Sequence, residues 1–150
     1  SAAKTGKVIN VKKGQFLSPY KVGNIINKVQ EAGNENILIT ERGNTFGFDS
    51  LVTDLRSIPI MRQFGCPVIF DATHSAQIPG NHELTTSGNR DFIPSQTFSA
   101  VSSGADGIFM EVHDDVENAL SDASTQWPIH KLEQTLKSIL AFRETYLKHG

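Results

Sequence analysis

The stretch Pro67 to His74, PVIFDATH, decides the fold. Val68, Ile69 and Phe70 form a short β-favouring apolar run immediately after a Gly-Cys-Pro breaker at 65–67. A run of that length without polar alternation reads as a strand covered on both faces rather than as a helix. It stops abruptly in Asp71, Thr73 and His74, three side chains able to hold a proton, a metal or a substrate. Apolar strands tipped with polar groups are the pattern of a parallel α/β sheet, where sites collect at the carboxyl ends of the strands.

Outward from this stretch the pattern repeats. Val8–Val11 (VINV) ends in Lys12 and Lys13, Ile37–Thr40 (ILIT) in Glu41 and Arg42, and Gly107–Val112 (GIFMEV) carries Glu111 and His113 at its tip. The tips at Lys12, Glu41, Asp71 and Glu111 are 29, 30 and 40 residues apart, the length of a βα unit, so no strand is expected to pair through a hairpin. After Ser18-Pro19, which reads as an N-cap and first-turn proline, Val22, Ile25, Ile26 and Val29 recur at helical spacing until Gly33. Asp49–Leu55 is open to a helical reading, and a short helix follows the Ile58-Pro59 interruption at about Ile60–Phe64. Further helices are expected over Phe92–Ser103 and from Pro128 to about Lys148. Ser75–Arg90 is a polar connection of the length that is usually functional or disordered. Four βα units standing alone have two open sheet edges, so the expected fold is α/β, with the chain supplying one half of an eight-stranded (β/α)8 TIM barrel.

Composition bounds the function. The chain of 150 residues is 38% hydrophobic and 20% charged with a net charge of −2, an ordinary single globular domain. No basic face or run supports nucleic-acid binding, and no apolar stretch approaches a membrane span. The N-terminus, SAAKTGKV, has no hydrophobic signal core. The one cysteine, Cys66, reads as a buried thiol and fits a reducing, cytoplasmic setting. The opening residues look like the end of a helix, and an upstream segment is expected.

Lys12 and Arg42, at the tips of neighbouring strands, could grip a dianion, the arginine by its planar fork and the lysine as a point charge. The competing reading is two solvated cations. His74, Glu111 and His113 are candidate ligands of a divalent transition metal, with Asp71, Asp114, Asp115 and Asp122 as further carboxylates. No tight ligand spacing such as His-Glu-x-x-His is present, so spacing alone does not choose among them. Asp71 is also read as a group that orients its neighbours, and Asp114, Asp115 and Glu117 as a solvated acidic turn. His82, His130 and His149 are assigned no site role, while Phe46, Phe48 and Trp127 read as core aromatics. The absence of a glycine-rich dinucleotide motif, a P-loop or a Gly-x-Ser-x-Gly elbow argues against nucleotide binding and serine hydrolysis.

Five strings in order, NVKKGQF (Asn10–Phe16), ERGNTFGFDSLVTD (Glu41–Asp54), FDATHSAQIPG (Phe70–Gly80), GIFMEVH (Gly107–His113) and ALSDASTQWP (Ala119–Pro128), resemble the C-terminal half of the 3-deoxy-D-manno-octulosonate 8-phosphate synthase family. The resemblance covers nearly the whole chain. It implies a homotetrameric barrel that condenses phosphoenolpyruvate with D-arabinose 5-phosphate and water, releasing inorganic phosphate, for lipopolysaccharide biosynthesis. It implies that Lys12 and Arg42 hold the phosphoenolpyruvate phosphate, that His74, Glu111 and Asp122 are metal ligands, and that Lys12, His74 and Asp122 stand closest to the chemistry. His74 would also face substrate, and the Ser75–Arg90 loop would order over the pentose phosphate. Ser121–Gln126 looks like the metal-dependent type, in which zinc, iron, manganese, cobalt or cadmium serves. The family's remaining substrate-binding residues lie in the first four strands, so residues 1–150 are expected to be the C-terminal half of one barrel domain. Asn81-His-Glu-Leu-Thr-Thr is less glycine-rich than the family's loop. The alternatives are a related synthase of the 3-deoxy-arabino-heptulosonate 7-phosphate type and a non-catalytic half-barrel.

Overall fold

The computed structural model describes residues 1–46, 50–79 and 87–150. Four strands, β1 (Ile9–Lys12), β2 (Ile37–Glu41), β3 (Val68–Asp71) and β4 (Gly107–Phe109), form one all-parallel sheet in that spatial order. A helix follows each strand: α1 (Val22–Glu31), α2 (Ser57–Arg62), α3 (Phe92–Ser102) and α4 (Ile129–His149). This is the expected succession of βα units. Lys12 pairs with Thr40, Thr40 with Ile69, and Asp71 with Phe109, so the polar carboxyl ends of the strands come together at one end of the sheet.

The period of two in each strand sorts its residues between two unlike faces. Ile37, Ile39, Val68 and Phe70 are buried in the core together with Val22 and Ile26 of α1 and Met61 of α2. The alternate residues differ: Leu38 and Ile69 are half-buried and Asn10 is exposed. Complete covering of the anchor strand on both faces is therefore corrected among the described residues. The helices shield one face and leave the other partly open.

Helix limits follow local chemistry. Gly33 (φ +88°) and Gly104 (φ +95°) lie just beyond α1 and α3, in the left-handed region that a side chain disfavours. Ser18 precedes a 3-10 turn, Pro19–Lys21, that leads into α1, although its hydroxyl makes no cap bond. The α2 helix starts at Ser57, earlier than expected, because Pro59 sits within the first turn, where a missing N–H has no intrahelical partner to lose.

Five further expectations are corrected. Asn44–Thr45 pairs antiparallel with Leu51–Val52, and Gln77–Ile78 with Ser87–Gly88, so short hairpins do occur in the loops after β2 and β3. The first of these makes residues 51 and 52 extended rather than helical, because the ladder satisfies backbone groups that a loop would leave to water. The fourth strand breaks at Met110 and Glu111, and Val112–His113 instead pairs in parallel with Trp127–Pro128. Phe46 is 70% exposed, not a core aromatic, whereas Trp127 is buried and donates from Nε1 to Thr135 Oγ1 at 3.1 Å. Cys66 is half-buried against the core rather than enclosed, and desolvation raises its thiol pKa. Phe48, Asp49, His82 and the string Asn81–Thr86 lie outside the described residues. No helix among those described is long and apolar enough to cross a membrane.

Candidate metal and anion site

The carboxyl end of β3 organises the site. Asp71, wholly buried, accepts from Lys12 Nζ at 2.7 Å and from the backbone N–H of His74 at 3.0 Å. His74 Nδ1 lies 3.0 and 2.9 Å from the two Asp71 oxygens, because the 3-10 turn His74–Ala76 folds the ring back over the strand end. An ionised carboxylate only accepts, so Nδ1 is the donor in this pair and Nε2 is the nitrogen turned toward the site. Burial alone would raise the Asp71 pKa, but the hydrogen bonds from His74 and Lys12 outweigh it and hold the carboxyl below its ordinary value. The expectation that Asp71 orients its neighbours is met. The Lys12 ammonium also lies 4.0 Å from the centre of the Phe109 ring, a cation–π contact between the first and the fourth strand.

His74 Nε2 is 3.4 Å from Glu111 Oε1. The break between β4 and Val112 puts Glu111 there: its N–H donates to Thr73 Oγ1 at 3.3 Å, and its Oε2 accepts from Gln126 Nε2 at 2.8 Å. Asp122 approaches from the loop before α4 in a left-handed conformation (φ +52°), its carbonyl accepting the N–H groups of Thr125 and Gln126. Gln77 Nε2 donates to Asp122 Oδ1 at 2.5 Å. One donor atom each from His74, Glu111 and Asp122 lies within 4.8 Å of the other two, and all three residues are half-buried. An imidazole nitrogen with two carboxylate oxygens suits a borderline divalent transition metal, and a histidine oriented by a carboxylate is the usual second layer of such a site. The residues fit the group.

Supporting contacts fix the Asp122 loop. Arg90 donates from Nε to the Gln126 carbonyl at 2.8 Å and from Nη2 to the Ala123 carbonyl at 2.5 Å. Gly88 leaves no room for a side chain: a Cβ there would strike the Thr125 methyl and lie 2.9 Å from the Ala76 carbonyl oxygen.

Lys12 and Arg42 are engaged separately. Lys12 takes Asp71, and Arg42 Nη2 donates to Gln77 Oε1 at 3.1 Å while its buried Nε has no hydrogen-bond partner among the described residues. His113 does not join the trio; its Nδ1 accepts the Asp115 N–H at 3.0 Å and lies 3.3 Å from Asp114. Asp114 and Asp115 are exposed, as a solvated turn requires.

Sequence reasoning missed Gln77, Gln126 and Arg90. The first two are neutral, so neither charge nor ligand type marks them, and their only local signal is closeness in sequence to His74 or Asp122. Lys13 is at the strand tip as expected, but it is 1% exposed there, beside Glu41 (3.4 Å) and Asn44 (2.7 Å).

A parallel βα-repeat protein with a nitrogen–carboxylate trio and two cations at the strand ends is the class that fold and site define, and within it this chain belongs to the DAHP synthetase I family, whose sequence profile matches residues 1–148. It is similar to proteins named 2-dehydro-3-deoxyphosphooctonate aldolase. That of Trichlorobacter lovleyi is 52% identical over 141 residues, 94% of this chain and 52% of the relative. That of Synechococcus sp. is 49% identical over 144 residues, 96% of this chain and 51% of the relative. That of Legionella pneumophila strain Lens is 48% identical over 148 residues, 99% of this chain and 54% of the relative. The chain spans about half the length of the curated relatives it matches.

Proposed function

We propose that residues 1–150 are the C-terminal half of a (β/α)8 barrel, and that the whole protein is 3-deoxy-D-manno-octulosonate 8-phosphate synthase, condensing phosphoenolpyruvate with D-arabinose 5-phosphate and water. The observation that carries this reading is that Lys12, Arg42, His74 and Glu111 follow the carboxyl ends of consecutive parallel strands, with Asp122 joining His74 and Glu111 from the loop before α4, in a chain about half identical to proteins bearing the aldolase name of that reaction. The half-barrel reading is supported by the partly open sheet face of Asn10, Leu38 and Ile69, which four more strands would enclose.

Lys12 and Arg42 serve the phosphate of phosphoenolpyruvate. Lys12 has two N–H groups beyond the one given to Asp71, and the buried Nε of Arg42 is a donor left for an anion oxygen. His74 Nε2, Glu111 and Asp122 hold a divalent metal, of the zinc, iron, manganese, cobalt or cadmium kind. When bound, such a cation supplies Lewis acidity and a water of lowered pKa. Asp71 keeps the proton on His74 Nδ1, which preserves Nε2 as a ligand. Two phosphorylated substrates brought together need cationic clamps more than a nucleophile, and no covalent enzyme intermediate is required. The contact of the loop at 75–90 with the pentose phosphate, which the resemblance implies, falls largely on residues 80–86, outside the described residues. The protein acts in the cytoplasm as a homotetramer, in the pathway that makes lipopolysaccharide.

Phosphate release by the whole polypeptide, given both substrates with and without a chelator, tests the reading. Release that stops with chelator and returns with a divalent metal supports it. Release indifferent to chelator removes the metal role from His74, Glu111 and Asp122. The family's own description favours one second reading, a heptulosonate synthase, for which erythrose 4-phosphate would replace arabinose 5-phosphate as the active partner.

A further inference from the structure

Between the anion-binding arginine and the metal trio stands one neutral side chain. Gln77, buried where the chain leaves the His74 turn, accepts from Arg42 Nη2 through Oε1 and donates through Nε2 to Asp122 Oδ1. A carboxamide has one accepting end and one donating end, and here they face a guanidinium and a carboxylate. Turned over, it would set an NH2 group against the guanidinium and a carbonyl against the carboxylate, two repulsive contacts in a buried place, so the two partners lock its orientation. A charged side chain of similar length serves only one neighbour: glutamate repels Asp122, and lysine repels Arg42.

We infer that Gln77 is a positioning residue that couples occupation of the His74–Glu111–Asp122 site to binding of a phosphate dianion at Arg42, an inference that rests on the function proposed above. Asp122 held by a cation fixes the Gln77 amide, and the fixed amide holds Arg42 in the arrangement whose buried Nε lacks a protein partner among the described residues. Ordering at one end is then already in place when the second ligand arrives. Thermodynamic linkage makes the effect reciprocal: each ligand tightens the other by the same factor.

The test uses the whole polypeptide and calorimetric titration of Mn2+ and of phosphoenolpyruvate, each alone and with the other saturating. In the unaltered protein the two ligands tighten each other equally, by about five-fold or more. Gln77→Leu keeps the bulk and removes both polar ends, so Mn2+ alone binds about ten-fold more weakly, while the mutual tightening falls to about two-fold or less on the same linkage scale. Gln77→Met, unbranched and of similar length, gives the same result should the leucine variant not fold. Coupling that survives in the variant, or is absent from the unaltered protein although both ligands bind, overturns the inference and leaves the synthase reading standing. An unaltered protein that binds neither ligand overturns the synthase reading together with the inference.

Discussion

Replacing Lys13 by methionine removes an ammonium that is 1% exposed and lies 3.4 Å from Oε1 of a wholly buried Glu41. At an effective dielectric of about 20, that separation corresponds to an attraction of about 5 kcal/mol, set against the cost of drying both charges. The same ammonium donates to Asn44 Oδ1 at 2.7 Å and to the Gly14 carbonyl at 3.2 Å. Glu41 has other duties: Oε1 accepts the N–H groups of Arg42 at 3.0 Å and Gly43 at 2.7 Å, whereas its buried Oε2 has no hydrogen-bond partner among the described residues. Without Lys13 the carboxylate stays buried and loses its counter-charge, so Lys13→Met should cost about 3–5 kcal/mol. Adding Glu41→Gln removes the orphaned charge while its carbonyl still accepts both backbone amides, which should bring the total back to about 1–2 kcal/mol. Urea unfolding of the whole polypeptide, followed by circular dichroism, reads both values. A single substitution costing under about 1 kcal/mol, or a double variant as unstable as the single, refutes the argument that the pair is buried and mutually dependent.

Other substitutions address the site. Asp71→Asn takes the carboxylate from behind His74 and should weaken divalent metal binding about 10- to 100-fold, measured by calorimetry, with undiminished affinity counting against its orienting role. Gly88→Ala forces a methyl group against Thr125 and the Ala76 carbonyl, pushing the Asp122 loop outward; a metal affinity about ten-fold weaker is expected from displaced supporting groups. Because desolvation raises the Cys66 thiol pKa, its alkylation by iodoacetamide should lag that of a free cysteine peptide at mildly alkaline pH, a rate equal to the peptide's contradicting it. The sign of the linkage follows: stability is fully present below the unfolded thiol pKa and declines as pH rises through the higher folded value.

The order of elements was legible in the sequence because apolar runs and breakers are local. The spacing from Lys12 to Glu41 to Asp71 to Glu111 foretold consecutive parallel strands, and Gly33 and Gly104 marked where helices stop, since backbone geometry at a single residue decides that. The polar strand ends foretold where a site would gather. The sequence could not say that Leu51–Val52 turns back on Asn44–Thr45, because a two-residue ladder has no periodicity to read. Nor could it say which of Lys12 and Lys13 faces the site: alternation sends them to opposite faces, and only the helices packed on one face bury Lys13 beside Glu41. The trio shows the same division. His74, Glu111 and His113 were the candidates at the strand ends, with Asp71, Asp114, Asp115 and Asp122 only as further carboxylates, and resemblance rather than spacing favoured Asp122. Strand register and loop closure bring together groups up to 48 residues apart, as with His74 and Asp122, and exclude His113, only two residues from Glu111. Residue type is written along the chain, but the distances that turn residue types into a site are set by packing between segments the sequence holds far apart.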